Sequence, residues 1–219
     1  MKKMILSAAL VLASTAAMAQ SGTFQLKANL KNMGDTIIVY KGRGEKRDTI
    51  LVKKDKFTYS VTLNEPKQMM FAQPAIFRGG RVVAFELVGV PGETAELVGD
   101  LKTKFDIKGS NFYKQFAEVD AMKDEADKEL ADFEKSISEK MKNGGDREAL
   151  MKEYDEKAPA LTKAKEEKLL AFIGQHPDYE ASATLIGEMS SYENMQKAVD
   201  MLSAQVKNGR MKAFCEPIV

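Results

Sequence analysis

One cysteine and one histidine are all that 219 residues hold of the two side chains most used for redox and metal chemistry. Cys215 has no partner for an intrachain disulfide, and no Cys-x-x-Cys pair occurs. His176 stands alone beside Pro177, without a second Cys or His at ligand spacing, so it reads as a turn residue rather than a zinc ligand. No Gly-x-Ser-x-Gly elbow is present to supply a serine nucleophile. Met69, Met70, Met122, Met141, Met189, Met195 and Met201 lack the Met-x-Met or Met-x-x-Met spacing of a thioether copper site and read as core filling. After the first residues no run approaches the ~18 apolar residues of a membrane span. No cofactor or metal is expected from these missing motifs, and no nucleic acid, because no clustered basic face accompanies the near-neutral charge.

What is present begins at the N-terminus. Lys2 and Lys3 precede an apolar run from Met4 to Leu12, and small residues lead to Ala17-Met18-Ala19. This is the pattern of a secretory signal, residues 1–19, cleaved after Ala19 to leave Gln20 first. It addresses the protein to the periplasm or another exported space. No cysteine follows the cleavage point, so a lipid anchor on the first mature residue is not expected. Loss of Lys2 and Lys3 takes the formal charge from +1 to −1, and enough chain remains to build a core without disulfides.

Residues 20–109 have period two. Phe24, Leu26, Ala28 and Leu30 alternate with polar neighbours, as do Phe57, Tyr59, Val61 and Leu63. Further strands are expected at Thr36–Tyr40, Lys46–Val52, Met69–Phe77, Arg81–Val88, Thr94–Val98 and Lys104–Ile107. The turn signals between them include Gly42-Arg43-Gly44, Lys54-Asp55, Gly79-Gly80 and Pro91-Gly92. About eight short strands without intervening helices predict an antiparallel β-sandwich or barrel. Gly42-Arg43-Gly44 lies between such strands and reads as a hairpin turn, since phosphate loops run from a strand into a helix.

From residue 110 to 209 the period is helical, giving an α+β chain. Phe112, Phe116, Val119, Ala126, Leu130, Phe133 and Ile137 form a stripe interrupted by Lys123. Asn143-Gly144-Gly145 ends that helix. A second starts near Asp146 and carries Leu150, Tyr154, Ala158, Leu161, Leu169 and Phe172, with Pro159 expected to kink or break it. Together, residues 110–175 predict a long antiparallel helical hairpin, on the order of 40–50 Å at ~1.5 Å per residue. Its 12 Lys/Arg and 16 Asp/Glu alternate in sign, as a solvated face does. Short helices are expected over 178–207. Asp178 would cap the first, over Tyr179–Met189, and Ser190 with Glu193 would cap a last helix carrying Met195, Val199, Leu202 and Val206. Residues 210–219 read as a tail.

Cys215 has two readings: an inert thiol near the chain end, or the site of an intermolecular disulfide with a redox partner. Without a resolving cysteine it is not expected to cycle alone. A hydrolase built on scattered carboxylates of the β region finds no paired carboxylates to support it.

The order of parts resembles a known family. Val90-Pro91-Gly92-Glu93, Gly99-Asp100 and Ile107-Lys108-Gly109-Ser110 close the β region, and Phe172-Ile173-Gly174-Gln175-His176-Pro177-Asp178 closes the long helices. Behind a secretory signal, this is similar to the N-terminal β domain and helical linker of exported thioredoxin-like thiol–disulfide oxidoreductases of Gram-negative bacteria. The resemblance covers Thr23 to about Gly209 and implies a setting in periplasmic redox homeostasis. In that family a thioredoxin fold with Cys-x-x-Cys follows the helices; here none is found, and no catalytic residue can be carried over. Lys54-Asp55-Lys56-Phe57 also departs from the Asp-Gly that often precedes the aromatic residue. The leading expectation is therefore an exported, non-catalytic binding or scaffold protein whose partner is a protein, either a redox partner or a second copy. The alternative is an oxidoreductase truncated before its thioredoxin domain.

Overall fold

Alternation in the first half becomes sheet, as expected. The computed structural model describes residues 21–78 and 83–216, so the signal and its cleavage site lie outside the described residues. Among the described residues there are eight strands: β1 (Gly22–Lys31), β2 (Thr36–Tyr40), β3 (Asp48–Leu51), β4 (Lys56–Leu63), β5 (Lys67–Ala72), β6 (Ala84–Gly89), β7 (Thr94–Asp100) and β8 (Lys104–Gly109). Phe24, Leu26, Ala28 and Leu30 of β1 are buried, while Thr23, Gln25, Lys27, Asn29 and Lys31 are exposed. The strand expected over Met69–Phe77 stops at Ala72. A 3₁₀ turn at Pro74–Arg78 replaces its end, because Pro74 cannot donate to a ladder.

The strands form two four-stranded sheets, ordered β4-β1-β7-β8 and β3-β2-β5-β6, and neither closes into a barrel. The first sheet is mixed rather than antiparallel throughout. β1 runs antiparallel to β4 but parallel to β7, from Gln25 opposite Thr94 to Lys31 opposite Asp100. Both kinds of pairing leave the same inside–outside alternation, so the sequence pattern does not separate them. Rings from the two sheets meet: Phe71 of β5 stacks on Phe85 of β6 at 4.8 Å and meets Phe57 and Tyr59 of β4 at 6.5 and 5.7 Å. Each such ring is worth roughly 1.5–3 kcal/mol of burial. The Tyr59 hydroxyl donates to Asp48 of β3 at 2.6 Å, and Lys41 donates to the same carboxylate at 2.9 Å. Burial and this carboxylate push the Tyr59 hydroxyl far above its ordinary pKa.

Helix follows in α1 (Asn111–Lys142) and α2 (Arg147–Gln175). Gly144 has φ +82°, and the N–H groups of Gly144 and Gly145 donate to the carbonyls of Met141 and Lys140, a Schellman ending for α1. Asp146 caps α2 by accepting from Glu148 and Ala149. Lys140 reaches Glu153, Tyr154 reaches Glu134 and Lys165 reaches Asp127, so rising numbers on α2 meet falling numbers on α1, and Lys168 adds a bond to Glu129. α2 is continuous through Pro159, so of the kink or break expected there the break does not occur. Pro159 and Asp155 are both exposed, so water can satisfy the Asp155 carbonyl that a proline leaves without its helix donor.

The remaining segment is a 3₁₀ helix (Glu180–Glu188) followed by α3 (Tyr192–Met201), α4 (Ala204–Asn208) and α5 (Lys212–Cys215). Four expectations are corrected here. Asp178 does not cap, since Tyr179 is the boundary residue and makes no side-chain cap bond. Ser191, not Ser190, caps α3 by accepting from Asn194, because the Ser190 N–H is already held by Glu166. The expected last helix is divided, with Ser203 capping α4. Of the expected tail, residues 210–216 are packed rather than loose, because Met211 and Cys215 are as buried as the centre of β1, and the rest lies outside the described residues. One contiguous apolar cluster runs from Phe24 through Phe112 and Leu169 to Cys215.

Candidate functional site

Glu93, Ser110 and the segment after His176 meet at the junction between sheets and helices, while Gly99-Asp100 lies at the far end of β7, where Asp100 accepts from Asn32. Gly109 ends β8 at φ +150°, and a Cβ there would lie 2.1 Å from the Thr94 carbonyl oxygen, so only glycine fits. The chain then turns at Ser110, whose N–H donates to Thr94 at 3.1 Å. Ser110 precedes α1 but does not cap it. Its hydroxyl donates to Glu93, and the same carboxylate oxygen accepts the Phe112 N–H at 3.3 Å. Glu93 is thus the acceptor for α1, delivered from the turn before β7 and set at the positive end of the helix.

Glu93 is 8% exposed and is balanced by Arg210. The Arg210 Nη2 lies 2.6 Å from Glu93 Oε1 and 2.5 Å from Glu180 Oε2, and Nε lies 2.9 Å from both Glu180 oxygens. Burial disfavours the guanidinium charge, but the two carboxylates outweigh it and hold Arg210 protonated above its ordinary range. Beside this cluster Tyr113 is fully buried, its hydroxyl donating to the Val88 carbonyl at 2.7 Å and its ring 6.0 Å from Phe24. One guanidinium therefore ties the turn before β7, the start of α1, the 3₁₀ helix and the chain end.

The second half of the resemblance sits nearby. The His176 ring lies 4.5 Å from both Phe172 and Tyr179, its carbonyl accepts from Ser182 and Tyr179, and the Pro177 carbonyl accepts from Ser203. These contacts make His176 a boundary residue at the end of α2. Among the described residues no group of three or more His, Cys, Asp or Glu is placed to hold a metal ion. Gly42-Arg43-Gly44 connects the antiparallel β2 and β3, with Gly42 and Gly44 at positive φ. Lys54 and Asp55 both have positive φ between the paired Lys53 and Lys56, a two-residue turn of the I′ kind made without glycine.

Cys215 lies on α5, 1% exposed, with Sγ 3.9 Å from the Met211 carbonyl oxygen. Burial pushes its thiol up, away from the reactive thiolate. A disulfide to another chain requires α5 to lift first.

Further charged groups escape a sequence reading. Glu166 of α2 is 3% exposed and accepts from the Ser190 N–H and from Asn194 Nδ2 at 2.5 Å. Burial works to raise its pKa, but these hydrogen bonds outweigh it and hold the carboxyl below its usual range. A cleft of about 110 Å³ opens between β5, β6, α1 and the 3₁₀ helix, lined by Gln68, Glu86, Phe116, Asp120, Lys123 and Glu188. Burial and the neighbouring Asp124 raise the Asp120 carboxyl, while Lys123 and Lys165 pair with Glu188. In sequence these side chains look like any surface charge. Only the Lys123 break in the α1 stripe marks the place. No helix among the described residues is long and apolar enough to cross a membrane. Neither a family model, nor a curated protein, nor a solved structure matches the chain.

Proposed function

We propose that the chain is an exported, non-catalytic binding or scaffold protein, related in design to the front half of periplasmic thioredoxin-like thiol–disulfide oxidoreductases. In this reading the two sheets are the faces of a β-sandwich, and α1 with α2 is an antiparallel hairpin arm that meets a protein partner. The observation that carries it is the Glu93–Arg210–Glu180 cluster. It draws Glu93, Ser110 and the segment after His176 into one joint that holds the arm against the sheets. The residues shared with the family then serve to fix geometry, which is what a scaffold requires of them. Burial of Cys215 supports the same reading, since a protected thiol is a poor redox group.

The test is insulin reduction by the purified chain beginning at Gln20, with dithiothreitol as electron source. The expected rate is that of dithiothreitol alone. Turnover that disappears in Cys215→Ser would overturn the proposal. Export is tested separately by expression of the full chain in a Gram-negative host. The expected product is released with the periplasmic fraction and begins at Gln20; an uncleaved cytoplasmic chain contradicts the address.

A further inference from the structure

Charge is divided unevenly along the chain. Residues 20–109 carry 15 Lys/Arg against 10 Asp/Glu, and residues 110–209 carry 14 against 21. The sheets are thus formally +5 and the helices −7, although the mature protein is nearly neutral. Two surface patches express this division together with exposed apolar side chains.

The first is a groove on the outer face of the sheet ordered β4-β1-β7-β8. Leu51 and Val98, 69% and 49% exposed, flank it, and Lys27, Lys53, Lys56 and Glu96 surround them. Lys27 is paired to Glu96 at 3.6 Å, whereas Lys53 and Lys56 have no ion pair among the described residues. The second lies near the start of α2. Met151 is 42% exposed there, among Glu148, Asp155 and Glu156, with Arg147 and Lys152 beside them. Each patch has an apolar centre, one with a majority of cations around it and the other with a majority of anions. Each also carries charge of the opposite sign, but Glu96 is taken by Lys27 and Lys152 lies 4.0 Å from Glu156, which leaves Lys53 and Lys56 to face Glu148 and Asp155.

We propose that the groove receives the arm of a second copy of the chain, docked through the Met151 surface. This names the partner within the scaffold reading above and rests on that reading. The contact joins two different patches, so it is heterologous, and each copy offers a groove to one neighbour and an arm to another. Charge supplies much of the attraction. The association therefore weakens steeply as the screening length falls from about 10 Å at 0.1 M salt to about 3 Å at 1 M.

The experiment is sedimentation velocity of the chain beginning at Gln20 across a concentration series at low and high salt. Wild type is expected to form dimers and longer species at low salt and to return to monomer at high salt. Lys53→Gln with Lys56→Gln neutralises the groove, and Glu148→Gln with Asp155→Asn neutralises the arm patch, so that neither altered patch attracts the other. Each double variant is expected to be monomeric, with the melting curve of the wild type. Mixed one to one, the two are expected to form a species that stops at two chains, one intact groove holding one intact arm. Monomeric wild type at low salt, association that survives either double variant, or a mixture that stays monomeric would each overturn the proposal. A monomeric chain whose groove variant alone loses binding to a different exported protein would assign the groove to that protein instead. None of these results touches the insulin assay, so failure here is distinct from failure of the non-catalytic reading.

Discussion

Arg210 and Glu93 lie 117 positions apart in the chain and 2.6 Å apart in space, Nη2 to Oε1. The pair closes the helical region onto the sheets. It also leaves Glu93's second oxygen for Ser110 and the first turn of α1. A carboxylate this buried is tolerable only with its partners in place, so the joint is most sensitive to loss of the arginine.

Arg210→Ala is expected to cost about 2–3 kcal/mol in urea unfolding, the lower side of the range for broken buried pairs because Arg210 is itself partly exposed. Arg210→Lys should recover part of this, since one ammonium cannot reproduce the fork that spans both carboxylates. Equal stability of wild type and Arg210→Ala would show that the cluster does not hold the joint.

Glu166 sets an acid sensitivity. Its carboxyl is held below the ordinary value of 4.5, so the unfolded chain binds its proton more readily than the folded chain. The stability it contributes is therefore present above about pH 4.5 and is lost as pH falls through the lower folded value. Glu166→Gln should be less stable than wild type at pH 7, with the difference narrowing in acid. Parallel stability–pH curves for the two proteins would contradict this.

The turn at Lys54-Asp55 is strained for its residue types. Lys54 and Asp55 adopt φ +52° and +63°, which asparagine and glycine tolerate better. Lys54→Asn with Asp55→Gly is expected to gain about 1 kcal/mol without changing the fold. A loss on thermal or urea unfolding would show that Lys54 or Asp55 makes a contribution beyond turn geometry.

How much of this was legible in the sequence depends on the kind of signal. Strands β1 and β4 announce themselves because one face is buried and the other wet, giving strict alternation. The Gly144 ending of α1 is legible for a comparable local reason, a left-handed position that glycine fills. The parallel pairing of β1 with β7 is not legible, since its partner lies far along the chain and either direction preserves the alternation. The break between α3 and α4 is hidden because Met195, Val199, Leu202 and Val206 keep helical spacing across it. Glu93, Glu166 and Arg210 are hidden most thoroughly. A buried charge is specified by partners that only the fold assembles, and nothing in its neighbours along the chain distinguishes it from a surface charge.

Cys215 should be slow to react. At 1% exposure, with burial raising its thiol, it is expected to resist Ellman's reagent in the native protein and to react fully in denaturant. Rapid native labelling would mean that α5 opens readily and would restore the intermolecular disulfide as a working route.

Reactivation of scrambled ribonuclease probes the proposed role, an exported protein with the front-half design of an oxidoreductase and no redox turnover. The chain beginning at Gln20 and its Cys215→Ser variant would be compared in a glutathione redox buffer. Both are expected to leave reactivation at the rate of the buffer alone. Faster reactivation by wild type, abolished in Cys215→Ser, would contradict it.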